Sequence, residues 1–215
     1  MVKLYVADIS NLPDPLLVPD ELKKLPMERQ QRIHNMQQEK SRKQSMGVGL
    51  LLQKVLALYH MQDSQVYTGE HGKPMIEGLE FSLSHSGNLV VCAVSNKPVG
   101  CDVERLREAP RGVAKRCFSE GEQAYLSQFS EVEYDREFFK LWTMKESYVK
   151  MTGEGMAQTL GTFEVVVGEE ARVCRYGELQ DCFLQDVEIE GYVAAVCAKE
   201  VVDLEQVWVA LSEIE

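Results

Sequence analysis

The sequence predicts a chain of the α/β (α+β) class, arranged as two related halves, residues 1–101 and 102–215. Three observations carry that reading. Each half offers a strand-like run, then a long helical segment, then further strands. The run Gly87-Asn88-Leu89-Val90-Val91-Cys92-Ala93 is echoed by Gly191-Tyr192-Val193-Ala194-Ala195-Val196-Cys197-Ala198, a short internal likeness between the halves. No low-complexity stretch or linker separates them, and 215 residues suffice for two small units that share a core.

Taken in order, Lys3 to Ile9 alternates as a half-buried strand does, and the proline-rich Asn11 to Pro19 is a connection. A polar helix is predicted from Met27 to Ser45, interrupted by Gly47-Val48-Gly49. Leu50 to Tyr59 resumes with helical apolar spacing and should face a core. Gln65 to Tyr67 gives a short strand, and Gly69 to Pro74 a turn-rich loop. Phe81-Ser82-Leu83 is strand-like and runs into a polar corner, Ser84-His85-Ser86-Gly87. Leu89 to Val94, with three valines, reads as a buried strand. A Pro/Gly turn from Asn96 to Gly100 precedes a short strand with Asp102 and Glu104. Residues two apart on a strand share a face, so both carboxylates point one way and Val103 the other.

Val113 to Cys117 is read as a short helix. Ser119, with Glu122 three residues on, forms a capping box that starts the next one. The acidic Ser130 to Asp135 reads as a loop. Arg136 to Met151 is the second clear helix, burying Phe138, Leu141, Trp142, Tyr148 and Val149 and stopped by Thr152-Gly153. Four strands in a meander complete the chain: Thr162 to Val167, Ala171 to Arg175, Cys182 to Ile189 and Tyr192 to Ala198.

A formal charge of −11 argues against a general nucleic-acid binder, whose affinity rests on neutralising phosphates, but leaves room for one small phosphorylated ligand. No apolar run approaches the ~20 residues that cross a membrane, and no basic segment with a long apolar core opens the chain. The six cysteines show neither CxxC pairs nor framework spacing, and several lie in apolar runs. A reduced, cytoplasmic protein with no membrane partner is the expectation. Charge reverses locally between Arg105 and Arg116, where Arg105, Arg107, Arg111, Lys115 and Arg116 face a single acid, Glu108. That segment is either a solvated helix face or a docking patch for an acidic partner.

Two carboxylates side by side on an apolar strand repel each other, and a divalent cation is the usual reason for such a pair. Trp142, Glu146 and Lys150 recur at helical spacing on one face. Glu146 and Lys150 alone would be an ordinary surface pair. Trp142 on the same stripe implies incomplete solvation, and half-buried charges need partners. Asp102, Glu104 and Glu146 together would suit a hard, oxygen-binding cation such as Mg²⁺. The corner at Ser84 and His85 supplies hydroxyl, imidazole and backbone N–H groups suited to phosphate oxygens. A serine hydrolase is the rival reading there, but no GxSxG elbow occurs, and adjacent Ser and His residues do not form a triad pair. His34, His60 and His71 lack metal-ligand spacing, and no P-loop or GxGxxG is present. Lys40, Arg42 and Lys43, just before the buried part of the first long helix, are either solvent-facing or phosphate contacts.

Four motifs in order give a resemblance. Gly72-Lys73-Pro74, Phe81 to Ser86, Gly100 to Glu104 and Trp142 to Lys150 resemble the G-[KR]-P, F-[SN]-x-S-H-[ST], G-[IV]-D-[IVL]-E and W-[ST]-x-K-E-[SA]-x-x-K motifs of the surfactin-synthetase-activating type of 4′-phosphopantetheinyl transferase. Cys101 replaces the family's usual aliphatic residue. The resemblance implies a pseudo-twofold pair of α/β subdomains, each a small, largely antiparallel sheet packed with a long helix. It implies transfer of the phosphopantetheine arm from coenzyme A to a serine of an apo carrier protein, releasing 3′,5′-ADP, in a monomer. Asp102, Glu104 and Glu146 would hold Mg²⁺ on the pyrophosphate. Lys73 and Pro74 would line the adenine pocket, Ser84 and His85 would grip phosphate, and Lys150 would neutralise or protonate the leaving phosphate. Glu146 would serve as base, and Arg42 would stand for an early coenzyme A-contacting arginine. An acidic carrier would explain the basic segment from Arg105 to Arg116. A Mg²⁺-dependent hydrolase of a coenzyme A-like nucleotide, and a non-catalytic coenzyme A-binding protein, are the alternatives.

Overall fold

The structure, a computed structural model, describes residues 1–155, 160–201 and 203–211. Strand β1 (Val2–Asp8) leads through a 3-10 turn at Pro15–Leu17 to helices α1 (Pro19–Lys23), α2 (Met27–His34) and α3 (Glu39–Leu58). A small hairpin, β2 (Tyr67–Thr68) and β3 (Pro74–Met75), precedes β4 (Glu80–Ser86), β5 (Leu89–Ser95) and β6 (Val99–Arg105). Helices α4 (Arg111–Cys117), α5 (Glu120–Leu126) and α6 (Glu131–Thr152) follow. Six strands come after them: β7 (Glu164–Val166), β8 (Arg172–Arg175), β9 (Glu178–Leu179), β10 (Phe183–Ile189), β11 (Tyr192–Ala198) and β12 (Leu204–Trp208). No helix among the described residues is long and apolar enough to cross a membrane.

Two sheets form the frame, with strand orders β12-β1-β5-β4 and β10-β11-β6. In the first, β5 runs antiparallel to β1 and β4; in the second, β11 runs antiparallel to β6 and β10. The chain therefore uses one plan twice, β1-α3-β4-β5 and then β6-α6-β10-β11. The sequence echo falls on the two central strands.

Side-chain alternation sorts the core into layers. Val2, Leu4 and Val6 of β1, Leu89, Val91 and Ala93 of β5, Val99, Cys101 and Val103 of β6, and Ala194, Val196 and Ala198 of β11 meet in one cluster between the sheets. The opposite faces of β1 and β5 pack on α3 through Tyr5, Ala7, Val90, Cys92 and Val94. The opposite face of β11 packs on α6 through Val193, Ala195 and Cys197. The result is four layers, helix, sheet, sheet, helix. Strand β5 lies in the middle of them, and all seven of its residues are buried. Each buried aliphatic side chain contributes about 1.5–3 kcal/mol, so this inter-sheet layer holds the halves together.

Four features differ from the sequence reading. The first long helix breaks at residues 35–38 instead of at its glycines, because Arg42 folds back and donates to the carbonyls of Met36 and Gln37. Gly47 and Gly49 continue the helix and admit close neighbours: a Cβ there would sit 2.5 Å from Ile9 Cγ2 or 2.8 Å from Leu25 Cδ2. The expected loop at Ser130 to Asp135 is the first turn of α6, with Ser130 as N-cap and Glu133 closing a capping box. Finally, the division at residues 101 and 102 falls inside β6, and β12 returns to the first sheet, parallel to β1. The capping box at Ser119 and Glu122 and the stop at Gly153, whose φ is +75°, are as read from the sequence.

Candidate active site

Glycine 100 sets the site's geometry. A Cβ at this position would lie 1.9 Å from the Ser147 carbonyl oxygen and 2.4 Å from the Met151 backbone nitrogen, so α6 crosses β6 in direct backbone contact. On β6 the residues facing α6 are Gly100, Asp102 and Glu104, while Val103 points into the inter-sheet core. The crossing therefore delivers the last turns of α6, with Glu146 and Lys150, onto Asp102.

Asp102 is 4% exposed. Its Oδ1 accepts from Lys150 Nζ at 2.7 Å and from Ser84 Oγ at 2.6 Å; Lys150 Nζ also donates to Ser84 Oγ at 3.0 Å. Its Oδ2 is buried without a hydrogen-bond partner. Glu146, also buried, has Oε2 3.8 Å from Lys150 Nζ. Burying an ion costs several kcal/mol unless partners are close. Here one ammonium serves two carboxylates.

The electrostatics follow from that crowding. Burial first, and the neighbouring Asp102 carboxylate second, push Glu146 up to about 7. Burial likewise raises Asp102, against the Lys150 ammonium and the Ser84 hydroxyl, which lower it. Burial works to lower Lys150, but Asp102 and Glu146 outweigh it and hold the ammonium above its ordinary value. A carboxyl that titrates near neutrality beside a fixed ammonium is suited to proton transfer.

Glu104, one step along the strand, directs Oε2 to Ser86 Oγ at 2.7 Å and to Arg107 Nη1 at 2.8 Å. Beyond it opens a cleft of about 520 Å³ lined by the start of α3 (Gln38, Lys40, Ser41, Gln44), by His85, Ser86 and Gly87, and by Glu104 to Arg107. Desolvation, and next the Lys150 cation, hold the His85 imidazole below its ordinary value.

The fold thus brings together Asp102, Glu104, Glu146, Lys150 and Ser84, with His85 at the cleft beside them. Lys73 and Pro74 lie apart: the Lys73 ammonium donates to the Val99 carbonyl at 3.2 Å, at the start of β6, and burial lowers its pKa. Arg42 is committed elsewhere. Its guanidinium forms a two-pronged pair with Asp14, including Nε to Oδ1 at 2.8 Å, besides its two carbonyl contacts. Among the described residues, no three His, Cys, Asp or Glu side chains are grouped closely enough to hold a metal ion between them. The orphaned Asp102 Oδ2, the raised Glu146 and the nearby Glu104 are nonetheless donors of the kind a hard cation takes.

The sequence reading gave Lys145 no role. It is wholly buried and donates to Glu122 Oε1 and Oε2 at 2.8 and 2.9 Å and to the Phe163 carbonyl at 2.8 Å. Glu122 also accepts from Val165 N at 2.7 Å and from Ser119 N at 2.8 Å. One ion pair thereby ties α6 to α5 and β7 and fixes the rotation that presents Glu146. Its place as the first lysine of the motif from Trp142 to Lys150 is the signal the sequence offers.

A model of the 4′-phosphopantetheinyl transferase superfamily matches residues 98–197, which span β6 to β11 and include Asp102, Glu104, Glu146 and Lys150. The chain is 32% identical to "4′-phosphopantetheinyl transferase psf-1" of Bacillus pumilus over 80% of its own length and 78% of that protein's. It is 37% identical to "4′-phosphopantetheinyl transferase Sfp" of Bacillus subtilis (strain 168), covering 63% of each chain. It is 40% identical to "4′-phosphopantetheinyl transferase HetI" of Nostoc over 40% of each. The matched part of the chain thus spans 63% of the length of the first of the B. subtilis relatives and 60% of the length of two others.

Proposed function

The chain belongs to the 4′-phosphopantetheinyl transferase family, and from that premise we propose that it moves the phosphopantetheine arm of coenzyme A to a serine hydroxyl of an acidic apo carrier protein, releasing 3′,5′-ADP. The observation that carries the reading is the convergence of Asp102 from β6 with Glu146 and Lys150 from α6, beside a cleft with cationic walls. Transfer of this kind is chiefly positioning and charge neutralisation, with a base to take the serine proton.

Asp102, Glu104 and Glu146 are the residues that would hold Mg²⁺. When bound, that ion would neutralise pyrophosphate charge. Glu146, titrating near 7, takes the proton of the incoming serine. Lys150 remains an ammonium and donates to the leaving phosphate. His85 and the cleft walls hold phosphate oxygens, while Lys73 and Pro74 border the adenine. Arg42, bound to Asp14 and to the Met36 carbonyl, acts as a clamp that shapes the α2–α3 corner.

Arg105, Arg107, Arg111, Lys115 and Arg116 are exposed or rim the same cleft, Arg107 stacking 4.5 Å over Phe139 and Arg111 4.4 Å over Tyr134. That surface suits an acidic carrier whose serine must reach Glu146. All the proposed groups lie on one chain, consistent with a monomer.

Mass spectrometry of an apo carrier incubated with coenzyme A, Mg²⁺ and the protein tests the reading. A mass gain of one phosphopantetheine arm is expected. Release of 3′,5′-ADP without carrier modification would instead establish the hydrolase, and neither product would leave a coenzyme A-binding protein. Reversing Arg111 and Lys115 to glutamate should raise KM for the carrier and leave that for coenzyme A unchanged.

A further inference from the structure

Strand β4 carries serines at three successive same-face positions, Ser82, Ser84 and Ser86, and all three reach across to β6. No backbone ladder joins the two strands; they belong to different sheets. The three hydroxyls do different work. Ser82 Oγ accepts from the Cys101 backbone N–H at 3.1 Å and touches no carboxylate. Ser84 Oγ donates to Asp102 Oδ1 at 2.6 Å. Ser86 Oγ accepts from Arg105 N at 3.1 Å and donates to Glu104 Oε2 at 2.7 Å.

A two-residue period on β4 is thus matched to the two-residue period of Asp102 and Glu104 on β6. In each case the serine engages one carboxylate oxygen. At Asp102 the second oxygen is left buried and without a partner. At Glu104, Arg107 reinforces the serine on that same Oε2. Each carboxylate is thus held at one oxygen by a serine together with a cation, Lys150 at Asp102 and Arg107 at Glu104, and so loses its rotational freedom. That fixed orientation favours a ligand at the other oxygen.

Resting on the proposed function, we propose that Ser84 and Ser86 are positioning residues that set Asp102 and Glu104 for a divalent cation, with Ser86 the one whose role is separable. Ser84 also touches Lys150 and so belongs to the catalytic cluster. Ser86 hydrogen-bonds Glu104 and the Arg105 backbone, touches neither Lys150 nor Asp102, and lines the cleft, so its effect on the metal is read by cation affinity measured without coenzyme A. Ser82 is the built-in control, since its hydroxyl joins the same strands without a carboxylate.

The test measures Mn²⁺ affinity by electron paramagnetic resonance of the free ion, on wild type, Ser86→Ala, Ser86→Thr and Ser82→Ala, alongside thermal unfolding and carrier modification. Loss of a hydrogen-bond partner behind a metal ligand weakens metal binding by roughly 10–100-fold. Ser86→Ala should show the lower end, roughly tenfold, with a matching rise in the Mg²⁺ concentration needed for half-maximal transfer. Ser86→Thr should recover most of it, and Ser82→Ala should lower the unfolding temperature without changing Mn²⁺ affinity. Unchanged Mn²⁺ affinity in folded Ser86→Ala overturns the proposal, as does an equal loss in Ser82→Ala. A wild type that binds Mn²⁺ but modifies no carrier refutes the transferase reading and leaves the serine result standing.

Discussion

The two halves place different chemistry on the same scaffold. Matching the β4–β5 and β10–β11 hairpins, Leu89 on Tyr192 and so one residue off the sequence echo, sets Lys3, Tyr5 and Ala7 of β1 against Gly100, Asp102 and Glu104 of β6. Where the second half has Asp102 paired with Lys150 near the end of α6, the first has Tyr5, whose hydroxyl donates to Tyr59 at 3.3 Å just past the end of α3. Close helix approach is also solved on opposite partners: Gly47 lies on the helix in the first half, Gly100 on the strand in the second. Among the described residues, the buried charged side chains Asp102, Glu122, Lys145 and Glu146 all follow Gly100, whereas the buried polar residues before it are neutral. One half is held by apolar packing. The other stores charge, at a cost in stability that a ligand site can justify.

The sharpest way to break that comparison is to remove the charge. Glu146→Gln should lower the carrier-modification rate about 10²–10⁴-fold while the far-ultraviolet spectrum stays native. Tyr5→Phe, at the position matching Asp102, should leave the rate within about twofold. Comparable losses in both would mean that the halves share the chemistry.

Next in size is the buried pair behind the site. Lys145→Met leaves the buried Glu122 carboxyl without its cation, a change worth about 3–5 kcal/mol in urea unfolding. Adding Glu122→Gln should recover part of that loss, because no unpaired carboxyl remains. The glycine contrast is smaller. Gly100→Ala meets backbone atoms that cannot yield and should cost about 1–3 kcal/mol, together with activity, as α6 lifts from Asp102. Gly47→Ala meets mainly the Ile9 side chain and gains about 1 kcal/mol of helix preference, so its net loss should be smaller.

The last test is in pH. Glu146 titrates higher when folded, so its stabilising contribution is fully present below about 4.5 and is lost as pH rises through about 7. Asp102, also raised, acts in the same direction. Metal-free protein should therefore lose stability across that window, and Glu146→Gln should flatten the loss. A wild-type profile without that slope would contradict the crowded-carboxylate geometry.

Much of this was readable from residues. Alternation placed Asp102 and Glu104 away from Val103, helical spacing put Glu146 and Lys150 on one stripe, and the echo marked the two central strands. The capping box at Ser119 is legible, but the equivalent one at Ser130 lies hidden in a run of acidic residues that looks like a loop. Gly47 and Gly49 looked like breakers because local propensity cannot show that Ile9 and Leu25 press on the helix. Strand β12, with Glu205 and Gln206 exposed at a sheet edge, carries no burial pattern. Ser84 read as a phosphate grip because its partner, Asp102, lies on a strand of another sheet. Contacts between sheets are not written in local sequence.

The three serines of β4 have one more consequence, for the spacing of the frame. A continuous sheet would set β4 and β6 about 4.7–4.9 Å apart and use their facing amides and carbonyls in a ladder. Hydroxymethyl side chains take the ladder's place and work as spacers. They satisfy two β6 amides, Cys101 and Arg105, while keeping the strands from fusing. A strand from another molecule finds these amides already occupied, so the join is protected against edge-to-edge aggregation although two sheet edges meet there.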